Sequence, residues 1–324
     1  NKRILPAIIL LAWSISGLAQ PQWPSINSTT KPWTRWWWPG SAVNAKDITG
    51  NLEAYKAAGL GGVEITPIYG VAGYEKEFID YLSPQWMRVL DHTLLEAKRL
   101  NLGVDMATGT GWPFGGGPQI GAGDACRDFN VKTWTLKTGE RLSQPVIFTQ
   151  EPFVRSVGNQ IYELHGIYKT EETKGSISEP LLKEASRPPD ISKLVEPIYD
   201  NKNLQALALD QVQFRKQLPL QVLMAYNQKG EAIDLTSQVD AGGHLSWTAP
   251  EGEWTLHALF MGWHGKMVER AAPGGEGNVI DHFSLAPLKK YLGIFDKAFT
   301  GHSLASLRGF FNDSYEVDDA RGES

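Results

Sequence analysis

Residues 83–107, SPQWMRVLDHTLLEAKRLNLGVDMA, hold one complete helix-to-strand unit, and their reading decides the fold class. Ser83 supplies a hydroxyl cap, and Pro84 has a fixed φ that suits the first helical position. Trp86, Val89, Leu90, Thr93, Leu94, Ala97 and Leu100 then recur at three- and four-residue spacing, which places one apolar stripe along a helix. The pattern stops near Asn101, and residues 103–107 read as a short strand.

The same alternation extends upstream. Residues 34–38 are a compact aromatic run ending at Pro39-Gly40, read as a buried strand. A helix over residues 47–58 follows, with Asp47 as N-cap, Ile48, Leu52 and Tyr55 on one face, and Gly59 past its end. Residues 63–67 are a second strand. Strand, helix, strand, helix, strand at this spacing predicts a parallel sheet with right-handed crossovers.

Downstream the rhythm changes. From residue 129 to 262 short alternating stretches are separated by turns such as Asn227-Gln228-Lys229-Gly230, which predicts an all-β, sandwich-like insertion. The polar stretch 169–197 reads as a long loop or a partly helical excursion within it. A helix over 285–298, capped by Ser284 and turning Leu288, Leu292, Phe295 and Phe299 inward, and a strand over 307–315 then resume the first pattern. The expected fold is therefore α/β, a partial (β/α)8 TIM-type barrel in residues 20–128 and 263–324, interrupted by the insertion at 129–262. Four strands fall short of the eight that close such a barrel. The reading is of a fragment without activity of its own; an open four-stranded α/β sheet with a β appendage is the alternative.

Residues 1–19 have a basic start at Lys2 and Arg3, an apolar run, and small residues Gly17 and Ala19, the layout of a secretory signal peptide. The apolar run is shorter than the ~20 residues a spanning helix needs, so a stable membrane span is not expected and a secreted or periplasmic location is. One cysteine, Cys126, precludes an intramolecular disulfide. The formal net charge of −5 is scattered rather than blocked, which argues against a nucleic-acid partner. Twelve tryptophans offer flat apolar faces that suit either sugar stacking or core packing.

In a βα barrel the chemistry collects where strands end at their C-terminal side. Those places hold Trp38, Glu64, Asp105 with Trp112 beyond it, and the segment 312–316 with Glu316. Carboxylates inside apolar strands need a partner or a ligand, because burying the bare charge is costly. Residues 108–117 contain five glycines and one proline, either to bring backbone close to a ligand beside an exposed Trp112 or as a tight structural loop. No Lys-Ser/Thr follows these glycines, which excludes a phosphate-cradling loop. A second glycine-rich stretch, 271–277, precedes Asp281 and His282, of which His282 reads equally as a ligand or as part of a helix start. His/Cys spacing of the zinc type is absent, while oxygen-ligand metals stay open. There is no G-x-S-x-G elbow for a serine hydrolase.

Five segments, RWWWPGSAV (35–43), GGVEITPIYG (61–70), GVDMATGTGWPFGG (103–116), AAPGGEGNVIDHFS (271–284) and FFNDSYEV (310–317), resemble the N-terminal half of glycoside hydrolase family 106. The resemblance implies a (β/α)8 barrel with a β-sandwich insertion, inverting exo-hydrolysis of terminal α-L-rhamnosides, and a calcium ion that helps hold the sugar. It also implies Glu316 as general acid, with the second catalytic carboxylate on a later strand. Trp38, Glu64, Asp105, Trp112, Asp281 and His282 are the expected substrate-binding residues. A non-catalytic carbohydrate-binding protein and a retaining barrel glycosidase are the competing readings.

Overall fold

The computed structural model describes residues 23–150 and 216–317, with the backbone of four short strands between 155 and 184. The signal-peptide reading of residues 1–19 lies outside the described residues, as does most of the stretch 169–197.

The chain runs β1 (Trp33–Pro39), α1 (Ala45–Ala57), β2 (Gly62–Ile68), α2 (Pro84–Arg99), β3 (Gly103–Ala107) and the long β4 (Arg127–Lys137). Next come β5 (Thr149–Gln150), β6 (Arg155–Val157), β7 (Gln160–Glu163), β8 (Gly166–Lys169), β9 (Leu181–Glu184), β10 (Lys216–Gln217), β11 (Leu220–Asn227), β12 (Ala232–Asp234) and β13 (Glu253–Trp263). Helix α3 (Leu285–Phe299) and β14 (Leu307–Phe311) finish it. Strands β1, β2, β3 and β14 form one parallel sheet in that order, so the strand after the insertion takes the place the interrupted pattern predicts.

Each strand of this sheet has two faces. Trp36, Trp38, Val63, Ile65, Val104 and Met106 turn toward the helices and are buried with Ile48 and Leu52 of α1, Trp86, Leu90 and Leu94 of α2, and Tyr291 and Phe295 of α3. Arg35, Trp37, Glu64, Thr66 and Asp105 alternate with them and face the other way. Register lines up Arg35 with Glu64, Glu64 with Asp105, and Asp105 with Gly309, which makes a row across the open face.

Several boundaries differ from the sequence reading. Asn44, not Asp47, caps α1: its Oδ1 accepts the Asp47 backbone N–H at 3.0 Å, and Asp47 sits in the first turn. Ser83 does cap α2, accepting from Trp86 N at 3.2 Å. Ser284 precedes α3 but makes no side-chain cap bond. The buried side of α3 is Pro287, Tyr291 and Phe295, while Leu292 is exposed. Strand β14 stops at Phe311 rather than Tyr315, so residues 312–317 are not governed by strand alternation.

The insertion is all-β. Its main sheet is antiparallel, in the order β12, β11, β13, β4. Trp254, Leu256, Ala258 and Phe260 of β13 alternate inward with Leu223 and Ala225 of β11. Among the described residues that face is covered by loop residues Val146, Leu218, Leu235, Leu245 and Ala249. Strands β5 and β10 pair separately, and β6 to β9 form a four-stranded antiparallel meander.

Candidate active site

A narrow cleft with about 20 Å³ of free volume lies where the parallel strands end, lined by Arg35, Thr66, residues 107–111, Pro113, Phe114, Gly115, Phe311, Asn312 and Asp313. Arg35 organises it. Its Nε donates to Glu64 Oε1 at 3.0 Å and its Nη1 to Asp313 Oδ2 at 3.4 Å, which joins the first strand to the segment after the last. Its guanidinium also lies over the rings of Trp37, at 5.3 Å, and Phe311, at 4.7 Å. Thr66 Oγ1 donates to the same Glu64 oxygen at 3.1 Å. One place along the row, Asp105 accepts Arg308 in a two-pronged pair, Nε to Oδ1 at 2.9 Å and Nη2 to Oδ2 at 2.5 Å, while that guanidinium stacks 3.9 Å over Trp33.

Two buried tyrosines tie down the end of β3. Burial pushes both hydroxyls well above their ordinary range, so they stay protonated donors. Tyr81 donates to Ala107 O at 3.5 Å and Tyr291 to Thr108 O at 3.3 Å.

The glycines of residues 108–117 serve packing of backbone on backbone. Gly111 has φ 65°, and a Cβ there would sit 1.8 Å from Glu269 O. At Gly116, with φ 97°, it would meet Gly275 O at 2.2 Å. The two glycine-rich stretches therefore lie directly against each other, with Trp112 bridged to Glu269 and Gly115 to Val279. The tight-loop reading accounts for these positions.

The predicted residues separate into groups. Glu64 and Asp105 stand side by side on the open face, and Trp112 lies between two residues that line the cleft. Trp38 is elsewhere. It is 0% exposed and packs on Trp36 and Trp86, because strand alternation turns it to the helices. Trp37, 42% exposed, takes the cleft side that was read for Trp38. Asp281 accepts the Phe283 N–H at 3.0 Å and lies 3.7 Å from Arg127 Nε, so it shapes the turn before α3. His282 contacts Ile280 O through Nδ1 at 2.9 Å, and its ring meets Phe114 and, at 4.5 Å, Tyr315. Burial lowers the His282 pKa and so favours its neutral form.

Glu316 follows Tyr315 on the exposed segment and accepts the Ser314 hydroxyl at 2.7 Å. It does not line the cleft, and Trp36 and Trp38 of β1 are turned into the core, away from the open face. Asp313 and Tyr315 flank it in support, through Arg35 and His282 respectively. Sequence reasoning missed Arg35, Arg308 and Arg270. A basic residue two positions before Trp37 in an otherwise aromatic strand was the available signal for Arg35.

Among the described residues no three His, Cys, Asp or Glu side chains gather as a metal site. The loop carboxylates Glu276 and Asp281 are held within their own loops: Glu276 is buried and accepts the Gly274 N–H at 2.9 Å, and Asp281 accepts the Phe283 N–H.

The family pattern described as alpha-L-rhamnosidase matches residues 25–174 and 199–321. A solved rhamnosidase from Novosphingobium sp. PP1Y is similar with a TM-score of 0.52 and 16% identity, over 93% of this chain and 39% of that one. At that identity the likeness concerns the fold. A Formosa agariphila protein with a provisional beta-glucuronidase name is 26% identical over 272 residues, 80% of this chain and 20% of its own length. This chain thus spans a fifth of that relative. Because the family pattern is matched on both sides of the central gap, over most of the length, the chain belongs to glycoside hydrolase family 106, the alpha-L-rhamnosidases.

Proposed function

We propose that the parallel sheet is part of a (β/α)8 barrel, divided at residues 129–262 by the β insertion, in an exported glycosidase that removes terminal α-L-rhamnose with inversion. The observation that carries this reading is the charged row Arg35, Glu64, Asp105, Arg308 on the open face of the sheet, beside a cleft at the C-terminal strand ends. A sheet face that only packed would be apolar; a face that binds a polyhydroxylated ring needs fixed donors and acceptors.

Among the described residues of the open face and the segment after β14, three carboxylates are held by guanidinium groups: Glu64 and Asp313 by Arg35, Asp105 by Arg308. Both oxygens of Asp105 are taken by Arg308, so it orients and fixes the sheet rather than meeting substrate. Among the described residues, Glu316 has the Ser314 hydroxyl as its one partner. It is therefore assigned the general acid, and the residue that activates water belongs on another strand, about 6.5–9.5 Å from it in an inverting enzyme. The calcium ion implied by the family would help hold the sugar. The described side chains supply no ready three-ligand cluster for it.

The test is Glu316→Gln in the whole enzyme, assayed on two rhamnosides. For a sugar leaving group the loss should be about a hundred- to ten-thousandfold, the usual contribution of general acid catalysis, and for an acidic phenol much smaller. Equal losses on both substrates with a lowered melting temperature would make Glu316 scaffold. Proton NMR of the first-formed anomer separates inversion from retention.

A further inference from the structure

Arg270 is an exposed arginine with no carboxylate partner among the described residues, and it stands at the rim of the cleft. Its guanidinium lies 5.7 Å over the Tyr69 ring and 5.3 Å over the Trp112 ring, and its Nη1 donates to the Tyr69 hydroxyl at 3.2 Å. Tyr69 comes from the segment after β2, Trp112 from the loop after β3 between the cleft-lining Gly111 and Pro113. Arg270 is joined to both: its carbonyl accepts Tyr69 N at 2.9 Å, and neighbouring Glu269 bridges to Trp112.

Two features point beyond simple packing. The Arg270 backbone has φ 56°, the left-handed region where a glycine sits without strain and an arginine does not. The chain keeps a long cation where backbone geometry favours none. The cleft lining, by contrast, carries Arg35 and Asp313 as its charged side chains, and these pair with each other. A balanced lining suits a neutral ring, and Arg270, with no carboxylate partner among the described residues, suits an anionic one at the rim.

We infer that Tyr69, Trp112 and Arg270 form a rim subsite for an anionic sugar, one bearing a carboxylate or a sulfate ester, next to the neutral terminal sugar that occupies the cleft. This rests on the cleft being the glycosidase site. The planar guanidinium meets the oxyanion with two parallel N–H donors, and the aromatic faces beside it take the apolar face of the ring. The substrate class is then a glycan whose terminal neutral residue is attached to an acidic one.

The experiment measures binding, so its outcome does not depend on rhamnose release. The 324-residue chain is titrated by calorimetry with three trisaccharides that share a terminal rhamnose and differ in the next residue, which is galacturonate, galactose sulfate or galactose. At least one acidic trisaccharide should bind at least tenfold tighter than the neutral one, with the preference lost at high salt. Which acidic arm binds identifies the group. Arg270→Gln keeps the backbone strain and should erase the preference by about tenfold or more, the usual share of a charge-assisted bond. Arg270→Gly relieves the strain, so it should raise the melting temperature while also erasing the preference. Equal binding of all three sugars, or an unchanged preference in either variant, overturns the subsite. Loss of rhamnosidase activity in the whole enzyme's Glu316→Gln, or its retention, bears on the catalytic reading and leaves this result standing by itself.

Discussion

Trp37 and Trp38 are neighbours in one strand, and the fold assigns them opposite duties that unfolding measurements can separate. Trp38 is fully buried, with its ring 5.6 Å from Trp36 and 5.8 Å from Trp86. Trp38→Ala leaves a void that a sheet and two helices cannot close, and should cost about 3–5 kcal/mol, a large part of the roughly 5–15 kcal/mol that holds a domain together. Trp38→Phe is a finer probe. It leaves on the order of 40 Å³ empty, about 1 kcal/mol at ~24 cal/mol per Å³. The Trp38 Nε1 has no hydrogen-bond partner among the described residues, so its removal relieves a desolvated donor, an effect of about 1–3 kcal/mol in the opposite direction. The two effects nearly offset, and the Phe variant should lie within about 1 kcal/mol of the parent or above it. Trp37→Ala, on the exposed face, should change stability by no more than about 1 kcal/mol. Urea unfolding of the chain followed by circular dichroism gives all three values. If Trp37→Ala cost as much as Trp38→Ala, or if Trp38→Phe cost as much as Trp38→Ala, the assignment of the two faces would be wrong.

Three further outcomes follow from the buried and bound groups. Burial pushes the Cys126 thiol up to about 12, so a thiol reagent at pH 8 should leave the native chain unlabelled and label it fully in denaturant; native labelling at the denatured rate would show the site to be open. Burial lowers the His282 pKa below its ordinary 6.5, so the unfolded chain takes up that proton first as pH falls. Stability from this group is complete above 6.5 and declines below it; His282→Phe should flatten that part of the profile, and an unchanged slope would exonerate His282. In the whole enzyme, EDTA should abolish rhamnose release and calcium should restore it in preference to zinc, whereas full activity after dialysis against chelator removes the required ion from the proposal.

The fold was legible where the hydrophobic period is long. Helix α2 was read almost to the residue because Trp86, Leu90, Thr93, Leu94 and Ala97 all face one packed side. Its strand β3 followed from the change of period at Gly103. Helix α3 was found but turned slightly wrong, since Tyr291 and Leu292 are adjacent apolar residues and only packing against Phe114 and Phe295 decides that the tyrosine is inside. The end of β14 was overextended for a related reason. Phe310, Phe311 and Tyr315 look like strand residues, but Asp313 turns to Arg35 and Tyr315 to His282, contacts that draw the chain away from the ladder.

The site was legible as a place and less so as a set of residues. Glu64 and Asp105 stood out because each is a carboxylate in an apolar strand, and the sheet does put them side by side. Their partners could not be seen, since Arg35 lies 29 residues from Glu64 in sequence and Arg308 lies 203 from Asp105. Such pairs exist only once the parallel register is set, and a shift of one residue would send every one of these charges into the core. That constraint runs both ways. Because Arg35, Glu64 and Asp105 must stay on the open face, the register that buries Trp36, Trp38, Ile65 and Met106 is also the register that builds the cleft. The aromatic core and the charged floor are two faces of one choice, so a variant that slips the sheet should lose stability and the site together, while one that alters only the open face should lose the site alone.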